Sequence, residues 1–366
     1  MENNLDEITF TNYNVSKFIL HTNEGKHYIV SKEKKTEIEK ILKSEDAELK
    51  KKVIEKIKNL QSTQKSNLMF LSDFQYKKTI ISGNSMMNIS RKFTFLFDKY
   101  VLFLATLSIF IVSINYYFIN TPFVKTNIIP ISFSWVLVFL VFIFHEIGHA
   151  AACTKYKVKA GEIGFGITSL FPVLYANVTE AWRLERNERM IVNFGGIYFQ
   201  NIFSLVLLFI GLYTKHFELF FIGKAICIST VYQLFPYYKS DGYWILSDLI
   251  SEPNLYKISR NIFYNKLKNP KNKLSRKNYL ILFYYSLMSA AITYLIVIMG
   301  IRYFHTLINL PNYLYNFMSN LITRRYESLH LEATYLWALL YAIFTTKMVI
   351  NNIKTFILSN GADKVE

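Results

Sequence analysis

Six apolar segments dominate the chain after residue 100. Each is close to the roughly 20 residues that a helix needs to cross the hydrocarbon core of a bilayer. The pattern therefore predicts an all-α polytopic membrane protein with about six transmembrane helices. The segments lie at roughly residues 100–119, 131–152, 191–213, 218–237, 279–304 and 332–357.

The first 90 residues are polar and rich in Lys and Glu. Two apolar runs, KFILHT and KHYIVS, flank a turn at Asn23–Gly25 and predict a β-hairpin. Two helical stretches follow, so we predict a small cytoplasmic α+β domain over 1–90, with a winged-helix-like arrangement as one option. Residues 91–366 form the predicted transmembrane domain. The polar N-terminus lacks an early apolar core, which predicts no cleavable signal peptide. The second helical stretch has apolar residues at helical spacing: Leu49, Val53, Ile54, Ile57 and Leu60.

Composition and charge agree with a membrane protein. The chain is 52% hydrophobic and only 19% charged, with a mean hydropathy of +0.19, which argues against a soluble globular enzyme. The formal net charge is +16, and basic residues are concentrated in the connections 153–190 and 250–278. The positive-inside rule places these connections and both termini in the cytoplasm, where the basic loops meet lipid headgroups rather than nucleic acid. We expect a multi-pass protein of a bacterial plasma membrane. The connection 305–331 fits this topology least well.

The second apolar segment, ISFSWVLVFLVFIFHEIGHAAAC, carries the strongest chemical signal. Ionisable residues within a span cost roughly 2.5–3.5 kcal/mol each on insertion scales, so a functional role is expected for them. His145 and His149 are four residues apart and share one face of a helix, where they can bind one metal ion. Glu146 projects close by and can accept a proton from metal-bound water. The pattern is typical of a zinc hydrolase.

A catalytic zinc needs a third protein ligand, and no further histidine follows at a short spacing. The best candidate is Asp241 in FPYYKSDGYWILSDL, just after the fourth apolar segment. Pro236 interrupts that helix and Gly242 permits a tight turn, so a carboxylate there can face the bundle interior. Asp248 is the rival, although a solvated position near the connection at 250 is the favoured interpretation of that residue.

Other metal proteins fit the sequence less well. A membrane di-iron oxygenase needs several histidine boxes, whereas the remaining five histidines are scattered singly. A metal transporter would carry more ionisable residues in its spans, and only Lys224 and Lys347 stand out, both of which can snorkel. Cys153 and Cys227 offer neither a disulfide framework nor a cysteine zinc cluster.

These motifs resemble those of the site-2 protease family of intramembrane zinc metalloproteases, over most of the core at 131–255. HEIGH is similar to the family's HExxH and SDGYW to its Asp-Gly motif. The resemblance implies His145, His149 and Asp241 as zinc ligands and Glu146 as the catalytic base.

The stretch GEIGFGITSLFPVLYANVTEAWRLERNERMIVNFGGIYFQN resembles the branch described as peptide zinc metalloproteases. Where the family often has Gly-Pro followed by Asn, this chain has Gly196, Ile197 and then Gln200. We expect Gln200, Asn201 and Gly242 to contact the substrate or to support the metal ligands.

The segment 160–180 combines helix-breaking Gly and Pro residues with strongly apolar neighbours. Apolar non-helical backbone at membrane depth is tolerated only where it is buried or lines a cavity. The resemblance implies a re-entrant, β-like segment beside the zinc, whose edge can pair with an unwound substrate. The alternative is an ordinary cytoplasmic loop with a hydrophobic lid.

The resemblance implies a zinc metalloendopeptidase acting on a membrane-associated peptide or a single-span membrane protein. Its branch is often found with maturation or export of ribosomally made peptides, so a peptide exporter is an expected partner and the N-terminal domain an expected peptide-binding module. The alternative is a catalytically silent exporter or immunity component on the same fold. The intact Glu146 argues against that alternative.

Overall fold

The computed structural model describes residues 8–13, 17–21, 27–43, 76–118, 131–168, 171–237, 239–323 and 333–361. These residues are mostly helical and include two three-stranded antiparallel sheets. The chain divides into two compact units, Met1–Ile258 and Ser259–Glu366. The predicted helical stretch from Leu49 to Leu60 and the turn at Asn23–Gly25 lie outside the described residues.

The strands and helices follow one another in a simple order. The strands are β1 Thr9–Asn12, β2 Lys17–His21, β3 His27–Ser31, β4 Tyr76–Ile81, β5 Ile163–Thr168 and β6 Phe171–Ala176. The α-helices are α1 Lys32–Lys43, α2 Gly83–Arg91, α3 Lys99–Phe118, α4 Ile131–Lys155, α5 Arg186–Thr214, α6 Phe217–Leu234, α7 Asp241–Ile250, α8 Leu255–Lys268, α9 Arg276–Ile322 and α10 Ala333–Gly361. Short 3₁₀ helices span Thr94–Phe97 and Thr179–Arg183.

A helix occupies each of the six predicted apolar segments, as α3, α4, α5, α6, α9 and α10. Within the described ranges, three helical stretches are long and apolar enough to cross a membrane, and a shorter apolar stretch covers Thr334–Ile350. The prediction of a mostly helical membrane protein is therefore confirmed, whereas the number of about six spans stays a prediction. The three long stretches are Val136–Lys155, Arg186–Thr214 and Arg276–Asn320.

The predicted N-terminal hairpin is present as β2 and β3, which pair from Lys17↔Ser31 to His21↔His27. Side chains alternate across this sheet because successive strand residues point to opposite faces. One face packs against α1 through a small apolar cluster of Phe18, Leu20, Tyr28, Val30 and Ile38.

The other face of the N-terminal sheet contacts the segment that follows β6. Ile19 packs with Tyr13 and Trp182. The Lys17 ammonium lies 2.6 Å from the Glu252 carboxylate. Further bonds join the Thr11 hydroxyl to the Arg183 carbonyl and the Tyr13 hydroxyl to the Ser247 carbonyl. Within the first unit the sheet is therefore fixed to the elements around α7.

The second sheet joins sequence-distant segments. β5 and β6 form a hairpin from Ile163↔Ala176 to Thr168↔Phe171, and β4 pairs with the free side of β5. β4 comes from the predicted N-terminal domain at 1–90, yet its partner lies beyond α4. The assignment of domains at residue 90 stays a prediction, but the chain before residue 90 contributes a strand to the sheet that contains the 163–176 hairpin.

The second unit contains the long helix α9 and the helix α10. The Tyr341 hydroxyl donates to the Ile296 carbonyl, and Tyr313 stacks on Tyr335 with ring centroids 3.9 Å apart. Many apolar residues of α9 are exposed, as expected for a helix that faces lipid tails.

A buried histidine pair lies between the N-terminal sheet and the 3₁₀ helix at Thr179–Arg183. His21 Nδ1 is 2.8 Å from His27 Nδ1, and His21 Nε2 is 2.6 Å from the Thr11 hydroxyl. Burial lowers the pKa of His21 to about 3 and the pKa of His27 to about 4. Arg183 and Arg189 lower the pKa of His21 further, while Glu180 opposes the shift at His27.

This pair predicts a pH-dependent docking of the N-terminal sheet. An exposed histidine has a pKa near 6.5, so below that pH the undocked sheet binds more protons than the docked one, and docking weakens as the pH falls from about 6.5 toward 4. Because each of the two histidines contributes about tenfold, amide exchange of β2 and β3, corrected for its intrinsic pH dependence, should be protected about a hundredfold less at pH 5.5 than at pH 7.5. The variant His21→Gln/His27→Gln should lose this dependence, and equal protection of the wild type at both pH values would contradict the prediction.

Candidate metal centre

The HEIGH motif lies in the second half of α4, where three potential ligands converge. His145 Nε2 and His149 Nε2 are 3.1 Å apart. Asp241 places one carboxylate oxygen 3.2 Å from His145 Nε2 and the other 3.5 Å from His149 Nε2. Within the described ranges these residues form a group of potential metal ligands. A tetrahedral zinc with bonds of about 2.0–2.1 Å holds its ligand atoms roughly 3.3 Å apart, so the spacing fits zinc.

The hydrogen bonds of the two imidazoles also fit a metal ion bound between the histidines. His149 Nδ1 is 2.8 Å from the Val192 carbonyl, which can only accept, so Nδ1 carries the proton. His145 Nδ1 is 3.1 Å from the Gln200 side-chain oxygen. Both Nε2 atoms then present lone pairs toward each other and toward a carboxylate. A cation between them removes this repulsion.

The turn before α7 places the third ligand. The Ser240 hydroxyl caps the helix by accepting a bond from the Tyr243 amide at 3.1 Å, and α7 begins at Asp241. Lys239 adopts a left-handed conformation with φ 67°, which reverses the chain after Pro236. Gly242 packs against the backbone carbonyl of Leu234, where a Cβ would overlap it. The predicted Pro/Gly break therefore sets the position of the carboxylate.

Two glycine contacts between α4 and α5 shape the centre. A Cβ at Gly148 would overlap the Gly195 backbone, so the helices touch main chain to main chain there. A Cβ at Gly196 would lie only 2.5 Å from His145 Nε2 and would also overlap His149 Nε2. Only a residue without a side chain leaves the space between the histidines open.

The chain carries the features of a known metalloprotease family. The model of Peptidase family M50, the site-2 protease family, matches residues 132–360. This chain belongs to that family. Its members are zinc metalloproteases, which accounts for the ligand set described above.

A curated relative gives a second comparison. The Bacillus subtilis (strain 168) protein YydH, provisionally named a peptide zinc metalloprotease protein, is 28% identical over 123 residues. The match covers 32% of this chain and spans about half the length of YydH, 49%. Comparison with solved structures finds no significant match.

Glu146 lies beside the ligands of this M50 peptidase, half-buried at the wall of an open cleft of about 280 Å³. The histidines and Asp241 line the same cleft, so a carboxylate and a metal site face one space. The cleft wall continues along β6, from Val173 to Ala176, and on to Trp182 and Trp244.

A β-like segment was expected beside the metal within residues 160–180, and the β5–β6 hairpin lies there. β6 lines the cleft and, among the described strands, pairs only with β5. The alternative of an ordinary loop over 160–180 is wrong, because most of this segment forms paired strands.

The solvated position expected for Asp248 is wrong. Asp248 is only 2% exposed, and Arg189 donates from Nε to its carboxylate at 2.8 Å. The guanidinium of Arg189 also lies 5.0 Å from the Tyr13 ring and 4.9 Å from the Trp182 ring. The pair lies in the cleft wall but apart from the metal ligands. The sequence carried no local signal for this pair, because its two residues are 59 positions apart.

Gln200 and Asn201, the two remaining candidate residues, make different contacts. Gln200 contacts His145 directly. Asn201 donates to the Ile197 carbonyl one turn back and accepts a long bond from Thr230, so it ties α5 to α6 rather than facing the metal ligands. Its expected contact with substrate stays a prediction.

The Gly196→Ala variant of this M50 peptidase should lose zinc binding. The added methyl group occupies the space between the two Nε2 atoms, while alanine favours the helix by roughly 0.5–1 kcal/mol over glycine. Metal analysis of the purified protein should show less than one tenth of the wild-type zinc, with an unchanged circular dichroism spectrum. Gly83→Ala is the matched control, since a Cβ there meets its neighbours at an ordinary 3.4 Å; full zinc occupancy in Gly196→Ala would contradict the steric argument.

Proposed function

We propose that this chain is an intramembrane zinc endopeptidase of the HExxH-plus-Asp type. The single observation that supports the proposal best is the convergence of His145, His149 and Asp241 at a cleft that also holds Glu146. The family is that of zinc metalloproteases, and these residues are the ones in this chain that could hold the zinc and act as base. Zinc bound there supplies a Lewis acid and lowers the pKa of a water molecule.

The residues of the chain then have separate tasks. His145, His149 and Asp241 hold the metal. Glu146 accepts the proton of the attacking water and passes it to the leaving amine, as a general base and then a general acid. The side of β6 opposite β5, which pairs with no other described strand, can bind an extended substrate as an added strand.

The proposed substrate is a membrane-associated peptide or a single-span membrane protein. A substrate helix must unwind before its backbone can pair with β6. The name of YydH points to a peptide zinc metalloprotease, so we include maturation or export of a ribosomally made peptide, with an exporter as partner. The N-terminal sheet, fixed beside the cleft, is the proposed binding module for such a precursor. A plasma-membrane location with six spans and cytoplasmic termini completes the proposal.

A catalytically silent exporter or immunity component is the second candidate function. Such a protein needs the fold and the peptide contacts but no proton acceptor at the metal. Glu146 stands at the cleft as a carboxylate, which a binding protein has no reason to keep. The enzyme is therefore the better-supported function.

Replacing the base tests the enzyme directly. Glu146→Gln keeps the size and hydrogen-bonding shape of the side chain but accepts no proton. Cleavage of a membrane-tethered peptide library should fall by roughly 10²–10⁴-fold, the usual contribution of acid–base catalysis. Zinc content, measured on the same preparation, should not change. Unaltered cleavage by this variant would show that another group is the base.

Two variants test whether Asp241 or Asp248 is the third zinc ligand. Loss of a hydrogen-bond partner of a metal ligand typically weakens metal binding roughly 10–100-fold. Asp241→Ala removes a proposed ligand itself, so it should weaken zinc binding by more than that. Asp248→Ala should bind zinc as the wild type does, although it leaves Arg189 buried without its ion pair and lowers thermal stability. Chelator competition measures both affinities, and a reversed order would assign the ligand to Asp248.

A further inference from the structure

The two ligand histidines are oriented by different kinds of acceptor. His149 faces a backbone carbonyl, that of Val192, which can only accept. His145 faces the amide of Gln200 at 3.1 Å. An amide side chain can turn over and present either an oxygen or an NH₂ group. The proton position on His145 therefore depends on which way the Gln200 amide is turned.

Ser229 on α6 fixes the nitrogen end of this amide. The Ser229 hydroxyl donates its proton to the Ile226 carbonyl at 2.7 Å, in the preceding turn of the same helix. Its oxygen then accepts a bond from Gln200 Nε2 at 2.7 Å. Because its only proton is donated to the backbone, the Ser229 hydroxyl can only accept from Gln200, and it therefore favours the orientation that places the Gln200 NH₂ group beside it.

Gln233 fixes the oxygen end. Its Nε2 donates to the Gln200 oxygen at 2.9 Å, so this oxygen accepts from Gln233 and from His145 together. Ser229 and Gln233 are four residues apart and share one face of α6. The helix thus contacts both ends of the Gln200 amide.

We propose that Ser229 and Gln233 are positioning residues for zinc binding. They hold the Gln200 oxygen toward His145, so the imidazole carries its proton on Nδ1 and keeps the Nε2 lone pair for the metal. The inference rests on the zinc site proposed above. Outer hydrogen-bond partners of this kind fix the tautomer and the ring orientation of metal-binding histidines.

The reversed amide would have the opposite effect. If Gln200 turned its NH₂ toward His145, Nδ1 would have to accept and the proton would move to Nε2, the atom that faces the metal. The reversed state is favourable when residue 233 can only accept. Gln233→Glu creates this situation with almost no change in shape, since its carboxylate would face the Gln200 oxygen and repel it.

The test compares Gln233→Glu with Gln233→Met in the full-length purified protein. Zinc affinity is measured by chelator competition without any substrate. We expect Gln233→Glu to bind zinc roughly 10–100-fold more weakly than the wild type, whereas Gln233→Met, which leaves the Ser229 selection intact, stays within a few-fold. Equal zinc affinities of the two variants would overturn the proposal. A greater loss of affinity in Gln233→Met would also overturn it, because a side chain that acts only through packing and hydrogen bonding loses more on replacement by Met, which makes no hydrogen bond.

A second pair of variants decides the matter if Gln233→Glu does not fold. Gln200→Glu always offers an acceptor to His145 and should keep its zinc affinity within a few-fold, while Gln200→Met should lose roughly 10–100-fold. Wild-type affinity in Gln200→Met would overturn the proposal. Nitrogen NMR of labelled histidine in the zinc-loaded wild type should also show the His145 proton on Nδ1, and coordination of the zinc through Nδ1 would contradict it. These measurements do not depend on cleavage, so failure of the Glu146 experiment would leave their outcome interpretable.

Discussion

Main-chain contact between α4 and α5 is the constraint on which the rest of the centre depends. Gly148 and Gly195 let the two helices approach until their backbones touch, and this contact sets the register of α5 against the HEIGH motif. In that register the Val192 carbonyl reaches His149, Gln200 reaches His145, and Gly196 leaves the space between the imidazoles open. A wider separation would remove both acceptors at once.

The remaining parts of the site are added from outside this helix pair. A Ser cap and a left-handed residue bring Asp241 to the histidines at the start of α7. The same helix carries Asp248, whose ion pair with Arg189 closes the cleft wall and meets the rings of Tyr13 and Trp182. A buried ion pair of this kind costs several kcal/mol of desolvation and is a better means of specifying a position than of adding stability. It links the N-terminal sheet, the cleft wall and the helix that carries the third ligand.

Much of this arrangement was predictable from local pattern. The apolar segments predicted the long helices, and the alternating runs predicted β2 and β3. The family resemblance, rather than the local pattern, implied the β-like segment beside the metal. The motifs predicted the M50 family, which the comparison confirms. Asp248 was misjudged because a carboxylate near a basic connection resembles a solvated one until its partner is known. That partner, Arg189, is 59 residues away along the chain.

The sequence by itself indicated the membrane class, the family, and the histidine pair and glutamate of the HEIGH motif as a zinc-hydrolase pattern, because these depend on composition and on spacing within a single helix. The tertiary structure decided how those residues work together. It joined β4 to the hairpin, placed Asp241 3.2 Å from His145, and connected Ser229 and Gln233 to the same imidazole through Gln200. Such contacts depend on the register between helices, which is set by a few glycine contacts and leaves no periodic trace in any one segment.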